Sequence, residues 1–232
     1  LSPVQPPEKC VAVIPCLNEA ANIFTLVETL RRQINDVIVV DDGSRDDTAA
    51  LAARAGAEVI RHDQPRGKGA SLKAGWQRAA ERGFSWALCL DGDGQHSVED
   101  VPLFLAAIRA GSADLIVGNR FANPGKMPWL RRQVNQWMSR RLARVAGIAL
   151  PDSQCGFRMM RLSAWAKVPL ESQHFEIESE MLLAFVAGGC SIQFVPVRTI
   201  YADERSKVNP LRDTVRWLRW WRAAQTKISN RK

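Results

Sequence analysis

The sequence predicts an α/β protein built on a mostly parallel sheet flanked by helices. Three observations carry that reading. Short apolar, β-branched runs alternate with stretches whose apolar residues recur at helical spacing. Acidic or glycine-containing turns follow several of these runs, as at the carboxyl edge of a ligand-binding parallel sheet. Hydrophobic residues make up 46% and charged residues 24% of the 232 positions, which excludes wholesale disorder. A chain of this length buries about 70% of its unfolded surface, enough for one large domain.

Residues 10–15 (CVAVIP) form the first apolar run, which is ended by proline. A helix over 20–33 follows, with Ile23, Leu26, Val27 and Leu30 on one face. Residues 37–40 (VIVV) suit a strand covered on both sides. An alanine-rich helix over 46–55 stops at Gly56, and a third strand is expected at 58–60. A helix over 70–82 ends at Gly83. A strand at 86–90 (WALCL), a helix at 98–110 and a strand at 113–117 complete the alternation. Beyond Arg120 the rhythm changes. Asn123-Pro124-Gly125 and Pro128 predict an irregular, mobile loop over 121–129. A basic helix is expected at 130–145, an apolar one at 178–187, and a strand within 191–200 whose Pro196 places it at an edge or a bulge. The expected organisation is a tail over 1–9, one domain over 10–207 made of a mostly parallel half over 10–120 and a mixed extension over 121–207, and a basic amphipathic helix over 208–232.

Lys+Arg 32 against Asp+Glu 24 gives a net charge of +8, which favours a polyanionic partner such as nucleic acid, an acidic membrane face or a phosphorylated substrate. No RNA-binding aromatic strand motif or basic arm is present, so a nucleic-acid-binding role is the remote alternative. No run of about 18 uncharged apolar residues occurs, so no bilayer-spanning helix is expected. The prolines at positions 3, 6 and 7 interrupt any signal-peptide core. The five cysteines lack a C-x-x-C pair and read as buried free thiols in a reducing compartment, hence a cytoplasmic chain.

The acidic turns carry the chemistry. Asn18-Glu19 follows the first strand, Asp41-Asp42-Gly43-Ser44 the second, and Asp91-Gly92-Asp93-Gly94-Gln95 the fourth. Such acids also serve as plain helix caps. Three clusters at one sheet edge, however, suit a ligand site. Two carboxylates two residues apart can face one hard cation, with Gln95 adding an oxygen; Mg2+ or Mn2+, shared with substrate phosphates, fits this donor set. An EF-hand would need glycine at His96 and glutamate at Pro102, and the three histidines lack zinc spacing. His96 reads as a supporting or surface residue rather than a ligand. Arg66-Gly67-Lys68-Gly69 opens a helix and suits either a phosphate or an ordinary turn; it is neither a Walker A loop nor a dinucleotide fingerprint.

Taken together, the 13–19 run (VIPCLNE), the 40–44 turn with Asp47-Thr48, and the 91–95 turn resemble family 2 glycosyltransferases of the GT-A fold, over about residues 10–120. Residues 152–158 (DSQCGFR) and 204–207 (ERSK) resemble its dolichyl-phosphate mannose synthase and glucosyltransferase branch. The resemblance implies a nucleotide-sugar donor, a divalent metal, inversion at the anomeric carbon and a polyprenyl-phosphate acceptor. It places Pro15, Glu19, Asp42 and Lys68 along the nucleotide, with Leu17 and Asp41 beside them. Leu17 stands where an aromatic residue is common. It gives Asp91, Asp93 and Gln95 to the metal and diphosphate, Arg120 to the acceptor phosphate, and Arg205 and Lys207 to closure over the phosphates, together with Arg131 or Arg132.

The implied reaction is in-line displacement by an acceptor oxygen, with the leaving diphosphate stabilised electrostatically by a metal at Asp91 and Asp93 together with Arg205 and Lys207. A phosphate acceptor is already anionic and needs no strong base. A hydroxyl acceptor on a glycan, lipid or protein is the alternative and needs one, for which Asp152, Glu178 and Glu180 are candidates. The terminal helix carries Arg212, Arg216, Arg219 and Arg222 on one side and Leu211, Val215, Leu218 and Trp221 on the other, with Trp217 and Trp220 at the border. That pattern suits peripheral contact with an anionic membrane or a membrane-protein partner, or packing against the domain.

Overall fold

The computed structural model describes residues 9–111, 113–122, 127–200 and 210–229, with only the backbone at 210–214 and 226–229. Seven strands, β1 (Cys10–Cys16), β2 (Asp36–Asp41), β3 (Glu58–Arg61), β4 (Trp86–Cys89), β5 (Leu115–Asn119), β6 (Arg158–Arg161) and β7 (Ile192–Pro196), form one sheet in the order β3-β2-β1-β4-β6-β5-β7. All neighbours are parallel except β6, which runs antiparallel to both β4 and β5.

Hydrophobic continuity explains the centre of this sheet. β1 is buried along its length save for a half-buried Pro15, and β2 is buried from Val37 onward, as expected for strands covered on both faces. The helices α1 (Ile23–Leu30), α2 (Thr48–Arg54), α3 (Lys68–Glu81) and α4 (Val101–Arg109, after a 3-10 turn at Val98–Asp100) return the chain between strands. They bury the predicted faces, including Ile23, Leu26, Val27 and Leu30 of α1. Pro196 ends β7 at the sheet edge, where its missing N–H costs no ladder bond.

The strand β6 and the short helix α6 (Leu162–Trp165) were not anticipated. The sequence of β6, Arg-Met-Met-Arg, is neither β-branched nor alternating, yet Arg158, Met159 and Met160 are buried. Arg158 is satisfied there by three carbonyls: Nε donates to Cys155 O at 2.7 Å, Nη1 to Glu178 O at 2.6 Å and Nη2 to Ser153 O at 2.9 Å. Burial pushes its pKa down. Because β6 is antiparallel, its amino end lies at the carboxyl edge of β1, β2 and β4. The 152–157 segment therefore reaches the same edge as the acidic turns.

The remaining helices are α5 (Trp129–Ala146), α7 (Ile177–Ala187) and α8 (Pro210–Ser229). α8 packs through Trp217 and Trp221, both buried, with their rings stacked at 5.5 Å and Trp137 of α5 at 5.8 Å from Trp217. This corrects the expected face: Val215 is exposed and Trp217, placed at the border by sequence, is at the seam. Among the described residues no helix is long and apolar enough to cross a membrane. All five cysteines are free, four of them buried and Cys190 half-buried. Residues 123–126 of the expected mobile loop lie outside the described residues.

Candidate active site

The carboxyl ends of β1, β2 and β4 bring three acidic turns together. Asn18 adopts φ 54° just after β1, a conformation tolerated by its short polar side chain. Its N–H donates to Ser44 Oγ at 2.8 Å, and its Oδ1 accepts from Arg45 N at 2.8 Å, lacing the first turn to the second. The Glu19 N–H donates to Thr48 Oγ1 at 2.8 Å, and Glu19 is itself buried. Pro15 is half-buried and Leu17 exposed beside it.

The second turn is organised from within. Asp41 is fully buried, accepting from Ser44 N at 2.9 Å and lying 3.3 Å from Arg61 Nε. Asp42 accepts from Arg66 N at 2.9 Å and Gly67 N at 2.7 Å, and its Oδ1 lies 2.7 Å from His62 Nδ1. The amide of Ala70 donates to Gln173 O at 3.1 Å. The phosphate cradle considered for Arg66-Gly67 is thus not open: those two amides bind Asp42. Gly67, at φ +103°, lies where a Cβ would come within 2.2 Å of His174, so this turn is an internal seam. From this segment it is the Lys68 side chain that reaches the acidic turn after β4.

Lys68 Nζ lies 2.5 Å from Asp91 Oδ1 and 2.6 Å from Glu178 Oε1, joining α3, the β4 turn and the first turn of α7. Burial alone would push the ammonium toward neutrality. Asp91 and Glu178 outweigh that and hold its pKa above the usual lysine range. Burial likewise opposes charge on Asp91, but Lys68 and then His96 keep that carboxyl well below the usual range. His96 Nε2 stands 3.7 Å from Asp91 Oδ2, and its buried ring packs on Phe157. His96 is therefore a supporting residue, not a surface one. Burial, then the neighbouring charge of Asp91, raises the pKa of Asp93. Asp93 Oδ1 accepts from Gln95 N at 3.0 Å, and Gln95 O accepts from Ile200 N at 2.9 Å.

The acceptor-side candidates are also placed. Arg120, after β5, donates from Nε and Nη2 to Asp152 at 2.8 and 2.9 Å and from its backbone N–H at 3.1 Å; both side chains are buried. Glu180 accepts from the amides of Glu171 and Ser172. Arg205 and Lys207 lie outside the described residues. Among the described residues no group of three or more His, Cys, Asp or Glu could hold a metal by itself. Asp91 and Asp93 with the Gln95 oxygen still fit Mg2+ or Mn2+, which bind through one or two carboxylates plus substrate phosphates.

Sequence reasoning missed Gly156 and Phe175. A Cβ on Gly156 would meet Asp91 Oδ2 at 2.8 Å, Lys68 Nζ at 3.0 Å and Glu178 Oε1 at 3.1 Å. The Phe175 ring centroid is 5.4 Å from Lys68 Nζ. Gly156 was visible within the 152–158 run; nothing in the sequence marks Phe175.

With this geometry in view, comparison with known proteins defines the class. The model of Glycosyl transferase family 2 matches residues 11–168, more than half of the chain. The chain belongs to this family and is a glycosyltransferase. It is 30% identical over 203 residues to the undecaprenyl-phosphate mannosyltransferase of Micrococcus luteus, covering 82% of each chain. It is 29% identical over 214 residues to the UDP-N-acetylglucosamine–dolichyl-phosphate N-acetylglucosaminyltransferase of Methanococcus voltae, covering 82% of this chain and 85% of that one. A solved structure of Mycobacterium tuberculosis glucosyl-3-phosphoglycerate synthase, in complex with Mn2+, uridine diphosphate and phosphoglyceric acid, matches with a TM-score of 0.71 at 18% identity, over 92% of this chain and 75% of that one. The expected GT-A fold is thereby shown.

Proposed function

We propose that this glycosyltransferase moves a hexose from a UDP- or GDP-linked donor to a polyprenyl phosphate of the dolichyl or undecaprenyl kind, with inversion. One observation carries the choice of acceptor: each carboxylate considered as a base is already engaged. Asp152 binds Arg120, Glu178 binds Lys68, and Glu180 binds two backbone amides. A hydroxyl acceptor needs a free base in the site, whereas a phosphate monoester arrives anionic. The names of the two relatives, both acting on polyprenyl-type phosphates, support the same reading.

In this reading Pro15, Leu17, Glu19 and Asp42 form the nucleotide side of the cleft, with the buried Asp41 holding the turn behind them, and Lys68 meets the diphosphate. Asp91, Asp93 and Gln95 would hold Mg2+ or Mn2+, which when bound neutralises charge on the leaving diphosphate. An acceptor phosphate oxygen attacks the anomeric carbon as the bond to the diphosphate breaks. Arg205 and Lys207 stabilise the departing charge, and the Arg120–Asp152 pair holds the acceptor wall. The exposed Trp129 and Leu130 at the head of α5, with exposed Arg140, Arg141, Arg144, Arg219 and Arg222 on α5 and α8, suit peripheral contact with an anionic membrane that presents the acceptor lipid.

The test is transfer from a panel of UDP- and GDP-hexoses, with Mn2+ or EDTA, to a short polyprenyl phosphate or the matching polyprenol. Product with the phosphate and not the alcohol, lost in EDTA and in Asp93→Ala, is expected. Transfer to the alcohol alone, or full turnover in EDTA, would overturn the reading.

A further inference from the structure

Resting on that reading of the cleft, we infer that Lys68 is a resident counter-cation that competes with the divalent ion for Asp91, and that Glu178 is the positioning residue that draws it away. The geometry is specific. One ammonium is shared between Asp91 Oδ1 at 2.5 Å and Glu178 Oε1 at 2.6 Å, so the two carboxylates hold the same charge. A Cβ at Gly156 would meet all three groups at 2.8–3.1 Å, so the triad sits against bare backbone there. Glu178 is buried in the first turn of α7, its carbonyl is pinned by Arg158, and Ser179 beside it accepts from Trp217 and Gln154. The backbone of Glu178 is thus held in place and its carboxylate buried, while Asp91 lies on a turn and is about one-third exposed.

A divalent ion at Asp91 cannot share that oxygen with an ammonium at hydrogen-bond distance, since like charges repel at such separations. Lys68 must retreat, and Glu178 is the buried anion within its reach. The same retreat leaves Lys68 paired, so that no buried ammonium is stranded. Glu178 then serves the reaction without taking a proton, which explains how a buried glutamate can sit at the cleft of an enzyme whose acceptor needs no base.

The experiment measures Mn2+ alone, without donor, by the loss of the free-ion electron paramagnetic resonance signal. Wild type, Glu178→Gln, Lys68→Met and the double variant are compared, with thermal midpoints recorded alongside. Glu178→Gln is expected to weaken Mn2+ binding by about tenfold, because Lys68 then rests on Asp91 alone. Lys68→Met is expected to tighten it by about tenfold. In the Lys68→Met background Glu178→Gln should change Mn2+ binding little, a coupling that independent charges would not produce. If Lys68→Met alone is unstable, the double variant is read against Glu178→Gln instead: removing Lys68 there should restore Mn2+ binding by at least about tenfold, and no change would overturn the inference. Equal weakening by Glu178→Gln in both backgrounds would mean that Glu178 acts by its own charge and would overturn the inference. Unchanged Mn2+ binding with abolished turnover would make Glu178 a base and overturn it too. If wild type takes up no Mn2+ with or without UDP, the metal reading of the cleft fails first, and this inference with it.

Discussion

At Gly156 a single missing methyl group shapes the site. The three atoms that an added Cβ would strike, on Asp91, Lys68 and Glu178, are all ends of flexible side chains. They can yield, so Gly156→Ala should cost the fold no more than about 1 kcal/mol. The ion triad cannot yield and keep its distances, so kcat/KM should fall by about ten- to a hundredfold. Steady-state kinetics beside a denaturant titration check both parts; a large stability loss with intact kinetics would contradict the argument. The acidic candidates were legible in sequence because three acidic turns each follow an apolar run, and parallel strands bring such turns to one sheet edge. Their partners were not. That Asp42 closes the Gly67 turn, and that Lys68 bridges to a residue 110 positions away, depends on which strands are neighbours.

Among the elements, the segment leading into β6 shows how buried charge builds a wall. Asp152 is fully buried and its carboxylate is divided among Arg120 Nε, Nη2 and backbone N–H. Asp152→Asn keeps the shape but leaves a buried guanidinium without its counter-charge, which should destabilise the fold by about 3–5 kcal/mol in urea unfolding. A loss below about 1 kcal/mol would mean that the guanidinium finds another partner. At the head of α5, Trp129 and Leu130 are 72% and 68% exposed. Replacing them together, Trp129→Ala with Leu130→Ser, should abolish flotation with anionic vesicles while leaving the thermal midpoint in place. Unchanged flotation would remove α5 from the proposed membrane face. Helices with a clear apolar stripe were read to within a few residues of their ends. The strand β6 was not, because Arg158 is satisfied by the carbonyls of Ser153, Cys155 and Glu178 and Arg161 faces the Asp114 carboxylate at 3.4 Å, partners that its own four-residue pattern does not show.

For the whole molecule, the thiols report on packing. Burial pushes both the Cys89 and Cys155 thiols up to about 12 from an ordinary 9.0, with the Trp76 N–H on Cys89 opposing in part. Below pH 9.0 each thiol is protonated in the folded and unfolded chain alike, so burial exacts no ionisation penalty. Between pH 9.0 and about 12 the unfolded chain releases a proton that the folded chain keeps. Stability should therefore fall with rising pH, by about 1.4 kcal/mol per pH unit for each such thiol. Urea unfolding at a series of pH values checks the slope, and Cys89→Ala should make it shallower; an unaltered slope would count against the buried-thiol account.

The order of runs and helices, the parallel sheet and the acidic turns at its edge are written in local pattern. Hydrophobic period and turn chemistry act over a few residues, so the sequence by itself determined them. Which side chains meet was decided by topology. The antiparallel insertion of β6 between β4 and β5 carries residues 152–157 to the acidic edge, where Gly156 admits Lys68 between Asp91 and Glu178. That ion triad joins three parts of the chain whose spacing in sequence is arbitrary, because electrostatic pairing depends on distance through space and not along the chain.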